Sequence, residues 1–129
     1  SRTPIEDPAV LDIIREEAAR AGIAPRELDA DEIVSRCILA LVNEGARILE
    51  EGIALRPGDI DQVWIHGYGF PVYRGGPMFH ADVLGLGEVT ATIAGYRSRY
   101  GAEYWPEAPL LERLAAAGKG FAQWKDVAP

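Results

Sequence analysis

Apolar residues recur along this chain at the three- and four-residue spacing of amphipathic helices, while the strict alternation of a half-buried strand is nearly missing. Asp7 followed by Pro8 makes a cap and a first-turn proline, Val10, Leu11, Ile14 and Ala18 follow at helical spacing, and Gly22 stops the element. Residues 22–30 form a connector containing Pro25. Asp29 or Asp31 then caps a long helix over 32–51, ended by Gly52. Its stripe of Val34, Ile38, Leu41, Val42, Gly45, Ile48 and Leu49 is widened by Ile33, Leu39, Ala40 and Ala46, so the helix is expected to be central and covered on several sides. Pro57-Gly58-Asp59 starts a shorter helix to about residue 65, with Ile60, Val63 and Trp64 inward. Val63-Trp64-Ile65 is the one compact β-leaning run, too short to seed a sheet. Further helices are predicted from Pro77, carrying Met78, Phe79, Val83 and Leu84, then over 88–100, with Val89, Ile93 and Tyr96 inward, and over 106–117, with Leu110, Leu111 and Leu114. The tail, 118–129, is expected on the surface, with Phe121 and Trp124 able to dock. The sum is an all-α fold of about six helices around one long central helix.

Between two of these helices, residues 67–80 read Gly-Tyr-Gly-Phe-Pro-Val-Tyr-Arg-Gly-Gly-Pro-Met-Phe-His. Gly67, Gly69, Gly75 and Gly76 permit positive φ and close backbone approach, and Pro71 and Pro77 fix φ and remove donors. Tyr68, Phe70 and Tyr73 are the apolar anchors expected of such a shaped loop.

Composition narrows the function classes. With 129 residues, 48% of them apolar, the chain can bury a core. A net charge of −7 argues against a nucleic-acid partner and against an anionic membrane surface. No apolar run reaches the roughly 20 residues of a membrane-spanning helix, and the polar start is no secretory signal. A single cysteine, Cys37, excludes an internal disulfide and suits a reducing compartment, most simply the cytoplasm. Its place in a helical pattern reads as a small half-buried apolar residue.

Candidate chemistry is sparse. Gly67-x-Gly69 resembles the opening of a dinucleotide fingerprint, but a helix precedes it and Pro71 follows, so a structural turn is the better reading. His66 stands at a helix end, where it can meet the last carbonyls, and His80 lies one turn into the next helix beside Asp82. Either could act as a general base, but neither has metal-ligand spacing. Ser35 has no base beside it. Glu44 can pair with Arg47 or Arg36, and Asn43, beside the apolar stripe, needs a partner in the glycine-rich loop or a neighbouring helix. Arg74, the loop's cation, can clamp a carboxylate or phosphate or join a salt bridge to the acidic body. No triad, metal cluster or phosphate cradle is complete, so neither a catalytic residue nor a cofactor site is assigned.

One resemblance spans most of the chain. Asp31-Glu-Ile-Val-Ser-Arg36, Leu41-Val-Asn-Glu-Gly-Ala-Arg-Ile-Leu-Glu-Glu-Gly-Ile53, Asp59-Ile-Asp61, Gly67-Tyr-Gly-Phe-Pro71 and Arg74-Gly-Gly-Pro77 together resemble the C-terminal domain of 3-hydroxyacyl-CoA dehydrogenases. More narrowly, they look like the second copy of that domain in multifunctional β-oxidation enzymes that also carry an enoyl-CoA hydratase. The resemblance implies a helical fold of the 6-phosphogluconate dehydrogenase C-terminal-domain-like kind. It implies a parent that oxidises (S)-3-hydroxyacyl-CoA with NAD held in a Rossmann domain, and no cofactor in this chain itself. Where the catalytic copy carries an asparagine before the arginine, this chain has Ser35 before Arg36, which suggests the non-catalytic copy. The implied partners are the first helical domain and the Rossmann domain of the parent, with a two-fold homodimer expected in isolation. Asn43, Glu44, Gly67, Gly69, Phe70, Pro71, Arg74, Gly75, Gly76 and Pro77 are the expected structural loop and interface residues. The expected division is an N-terminal helix and interdomain junction, 1–28, the helical domain, 29–117, and the tail, 118–129, the whole read as part of a larger polypeptide. The competing reading is a stand-alone helical acyl-CoA-binding or interaction module.

Overall fold

The computed structural model describes residues 5–127, so positions 1–4 of the expected junction and the last two tail positions lie outside the described residues. Among the described residues there are six α-helices, two 3₁₀ segments and no strand. The chain divides into two compact units, one ending at Glu32 and one beginning at Ile33.

In the first unit, Asp7 caps α1, Pro8–Arg20, through a bond accepted from the Ala9 N–H at 3.0 Å. Gly22 ends it in the left-handed region at φ 68°. No residue of α1 is buried. Asp29 is the cap of α2, Ala30–Glu50, accepting from the Glu32 N–H at 2.7 Å.

In the second unit, α2 contributes Leu39, Val42, Asn43, Gly45, Ala46 and Leu49 to the interior. Ile33 and Val34 are exposed, and so is Cys37. The expectation of a helix covered on several sides therefore holds only for the second half of α2. Cys37 is not half-buried, because it lies on the solvent-facing side of α2. Helix α3, Pro57–Tyr68, runs beyond residue 65 and takes in Gly67. It buries Ile60 and Asp61, while Val63 is exposed. A 3₁₀ turn, Val72–Arg74, leads to α4, Pro77–Leu84, which buries Pro77, Met78 and Ala81 but exposes Phe79, Val83 and Leu84. Helix α5, Leu86–Tyr100, buries Leu86, Val89 and Ile93, and α6, Pro109–Ala116, buries its three leucines. The chain then closes in a 3₁₀ segment, Phe121–Asp126, whose Phe121 is 1% exposed.

The core of this unit joins Val42, Leu49, Met78, Ile93, Leu110, Leu114 and Phe121. α3 packs on α4, α4 on α5, and α5 on α6. Gly45 lets α4 come close to α2, since a Cβ there would collide with the Met78 sulfur.

Candidate docking site around the glycine-proline loop

The loop begins where α3 stops. Gly69 takes φ 74°, a left-handed C-cap, and the Phe70 N–H returns to the Trp64 carbonyl at 3.0 Å. Phe70 is buried, whereas Tyr68 and Tyr73 are 71% and 85% exposed. Only one of the three expected aromatic anchors therefore anchors. Pro71 precedes the 3₁₀ turn, and its carbonyl accepts from the Arg74 N–H at 2.9 Å. Gly75 and Gly76 follow at φ 75° and 95°, conformations that side-chain-bearing residues rarely adopt. Gly67, by contrast, is ordinary helix.

What holds the loop's far end is Asp61. Its buried carboxylate accepts from the Met78 N–H at 2.7 Å and the Phe79 N–H at 3.3 Å, capping α4 from a position on α3. Gly76 lies so close that a Cβ would strike the Asp61 side chain. Burial pushes the Asp61 carboxyl above the usual carboxylate range; the two N–H bonds pull it down, and the nearby Asp82 charge adds to the rise.

The same device recurs twice. Asp82 accepts from the Phe121 N–H at 2.7 Å and the Ala122 N–H at 3.4 Å, capping the closing 3₁₀ segment. Asn43 accepts from the Ala108 N–H at 2.9 Å at the start of α6, and donates to the Pro106 carbonyl at 2.7 Å. Arg47 donates to that carbonyl at 2.6 Å. Asn43 thus bonds the start of a neighbouring helix, one of its two expected partners, and not the loop.

Other expected pairings differ. Glu44 is exposed and has no ion pair among the described residues, because Arg47 is taken by Pro106 and Arg36 lies over the Tyr100 ring at 4.1 Å. Arg74 makes neither clamp nor salt bridge among the described residues; its guanidinium stands 5.7 Å from the Tyr73 ring centre. His66 meets the Gln62 amide oxygen at 3.0 Å in place of helix-end carbonyls. Burial, then the Arg74 charge, lowers the His80 imidazole below its ordinary value. Ser35 accepts from the Tyr96 hydroxyl at 2.9 Å. Among the described residues no group of three or more His, Cys, Asp or Glu could hold a metal ion, and no helix is long and apolar enough to cross a membrane.

The arrangement offers a pinned loop edged by exposed apolar groups: Tyr68, Val72 and Tyr73 on the loop, Phe79, Val83 and Leu84 on α4. Six large apolar side chains thus stand at the surface around the loop. Residues 33–124 match the family described as "3-hydroxyacyl-CoA dehydrogenase, C-terminal domain". The chain belongs to this family. Among its relatives are the peroxisomal bifunctional enzymes of Danio rerio, 40% identical over 93% of this chain, and of Homo sapiens, 41% identical over 82%. The fatty acid oxidation complex subunit alpha of Shewanella amazonensis is 44% identical over 72%. The chain spans only 17%, 15% and 13% of these three proteins. Membership of a domain shared by such long enzymes disfavours the stand-alone module.

Proposed function

We propose that this 3-hydroxyacyl-CoA dehydrogenase C-terminal domain is the second, non-catalytic helical copy of a multifunctional β-oxidation enzyme, and that its work is architectural. The parent would oxidise (S)-3-hydroxyacyl-CoA to the 3-ketoacyl thioester, with NAD and the reacting groups held in its Rossmann domain. This domain would supply a surface, centred on the glycine-proline loop and the outer face of α4, for the first helical copy. The two-fold homodimer proposed for the isolated chain uses the same surface in the missing partner's place.

The observation that carries the reading is the state of Ser35 and Arg36. Where the resemblance puts a substrate-binding asparagine, the Ser35 hydroxyl is tied to Tyr96, and Arg36 is stacked on Tyr100. Both side chains are engaged with their own domain. The proposed helical kind is that of the 6-phosphogluconate dehydrogenase C-terminal domain. The proposed compartment is the cytoplasm; for a parent akin to the relatives named peroxisomal, the peroxisome takes its place.

Calorimetry of the isolated chain with NAD tests the division of labour. No heat of binding is expected, together with NAD-dependent oxidation of a 3-hydroxyacyl-CoA by the full parent polypeptide. Turnover by the isolated chain would overturn the reading.

A further inference from the structure

Helix α4 takes part in two carboxylate clasps. At its start, Asp61 of α3 accepts from the Met78 and Phe79 N–H groups at 2.7 and 3.3 Å. One turn further on, Asp82 of α4 itself accepts from the Phe121 and Ala122 N–H groups at 2.7 and 3.4 Å. Both clasps are tight. A Cβ on Gly76 would strike the Asp61 side chain, and one on Gly120 would meet the Asp82 carboxylate at 2.8 Å.

The two clasps share one short element. At eight residues α4 is well under the roughly 12–15 that an isolated helix needs, so its position depends on what grips it. Met78 and Ala81 of α4 are buried in the same core as Phe121, the first residue of the closing 3₁₀ segment, and α4 packs on that segment as well as on α3. Charge links the clasps too. Burial raises the Asp61 carboxyl most, and the Asp82 charge adds to the rise. The Phe121 and Ala122 N–H groups offset part of the Asp82 charge while they are bound to it. When they leave, that charge bears more heavily on Asp61.

We propose that α4 couples the glycine-proline loop to the closing segment, so that release of Phe121–Asp126 from Asp82 loosens the Asp61 clasp and, with it, the exposed face of Phe79, Val83 and Leu84. Coupling of this kind is reciprocal, so a partner that seats on that face and steadies α4 also tightens the closing segment. The coupling lies within the domain and does not depend on which partner seats there.

Amide hydrogen exchange on the 129-residue chain tests it. In Asp82→Ala the Met78 and Phe79 amides, which bond to Asp61 and not to Asp82, are expected to exchange about tenfold faster or more, while residues 42–49 of α2 keep their rates. In Asp61→Ala the Phe121 and Ala122 amides are expected to speed up likewise. Unchanged Met78 and Phe79 amides in Asp82→Ala overturn the proposal, whatever those of Phe121 and Ala122 do, since each clasp then acts alone. Where the faster exchange extends to 42–49, urea unfolding decides. The double variant is expected to lose less of the midpoint than the two single variants together, because cutting one clasp has already slackened the other. Losses that add overturn the proposal. If Asp82→Ala does not fold, Asp82→Asn, which keeps one acceptor oxygen, is read by the same two outcomes.

Discussion

The glycine-proline loop and α1 make an instructive pair. The loop has no regular repeat, yet its backbone is fixed at both ends: by the Phe70 N–H to the Trp64 carbonyl and the buried Phe70 ring on one side, and by Asp61 on the other. Helix α1 has every local signal of regularity and no buried side chain. Regular secondary structure and burial are thus independent properties. Local hydrogen bonds make a helix, but only burial and long-range bonds make it a fixed part of a body.

The largest expected effect comes from filling the space the loop leaves. Gly76→Val meets both a positive φ and the Asp61 side chain, and is expected to cost about 2–5 kcal/mol in urea unfolding. An unchanged midpoint would mean that the loop is far less fixed than Asp61 and Gly76 imply. Removing the clasp itself, Asp61→Ala, leaves the Met78 and Phe79 N–H groups without their carboxylate and is expected to cost about 1–3 kcal/mol. Asp61→Asn keeps an acceptor and sharpens the point through pH. The folded-state pKa of Asp61 is raised above its ordinary 3.8, so its contribution to stability is fully present below that value and is lost as pH rises through the folded pKa. Stability measured against pH should therefore fall less steeply from about pH 4 upward in Asp61→Asn than in the parent sequence; parallel curves would show that burial does not dominate that site. At the far end of the scale, Leu11→Asp in the isolated chain should change stability by no more than about 0.5 kcal/mol, because the side chain touches no core. A loss of several times that would remove the contrast.

How far the sequence reveals this architecture depends on the range of the signal. Caps and first-turn prolines lie within a few residues of their targets, so Asp7-Pro8, Pro57 and Pro77 mark helix starts correctly. The ordered motifs from Asp31 to Pro77 are specific enough to indicate the family. Periodicity does not say where along a helix the core ends: Ile33 and Val34 continue the stripe of α2, but both are exposed. Nor does it tell Met78 from Phe79, neighbours in sequence of which one is buried and the other exposed. The caps at Asp61 and Asp82 reach their partners across 17 and 39 residues, a distance at which a carboxylate carries no local signature. Asn43 shows the useful exception. A polar residue beside an apolar stripe announces that it needs a partner, and only the partner's place stays hidden.

Met78 is the sole methionine of the chain, has no accessible surface, and sits against Gly45 so closely that not even a methyl group would fit between them. Its thioether is shielded from peroxide while the helices stay together, and the larger, polar sulfoxide has no room to re-enter. Oxidation of this one sulfur would therefore hold the helices apart until the sulfoxide is reduced, and its rate would report how often the domain opens.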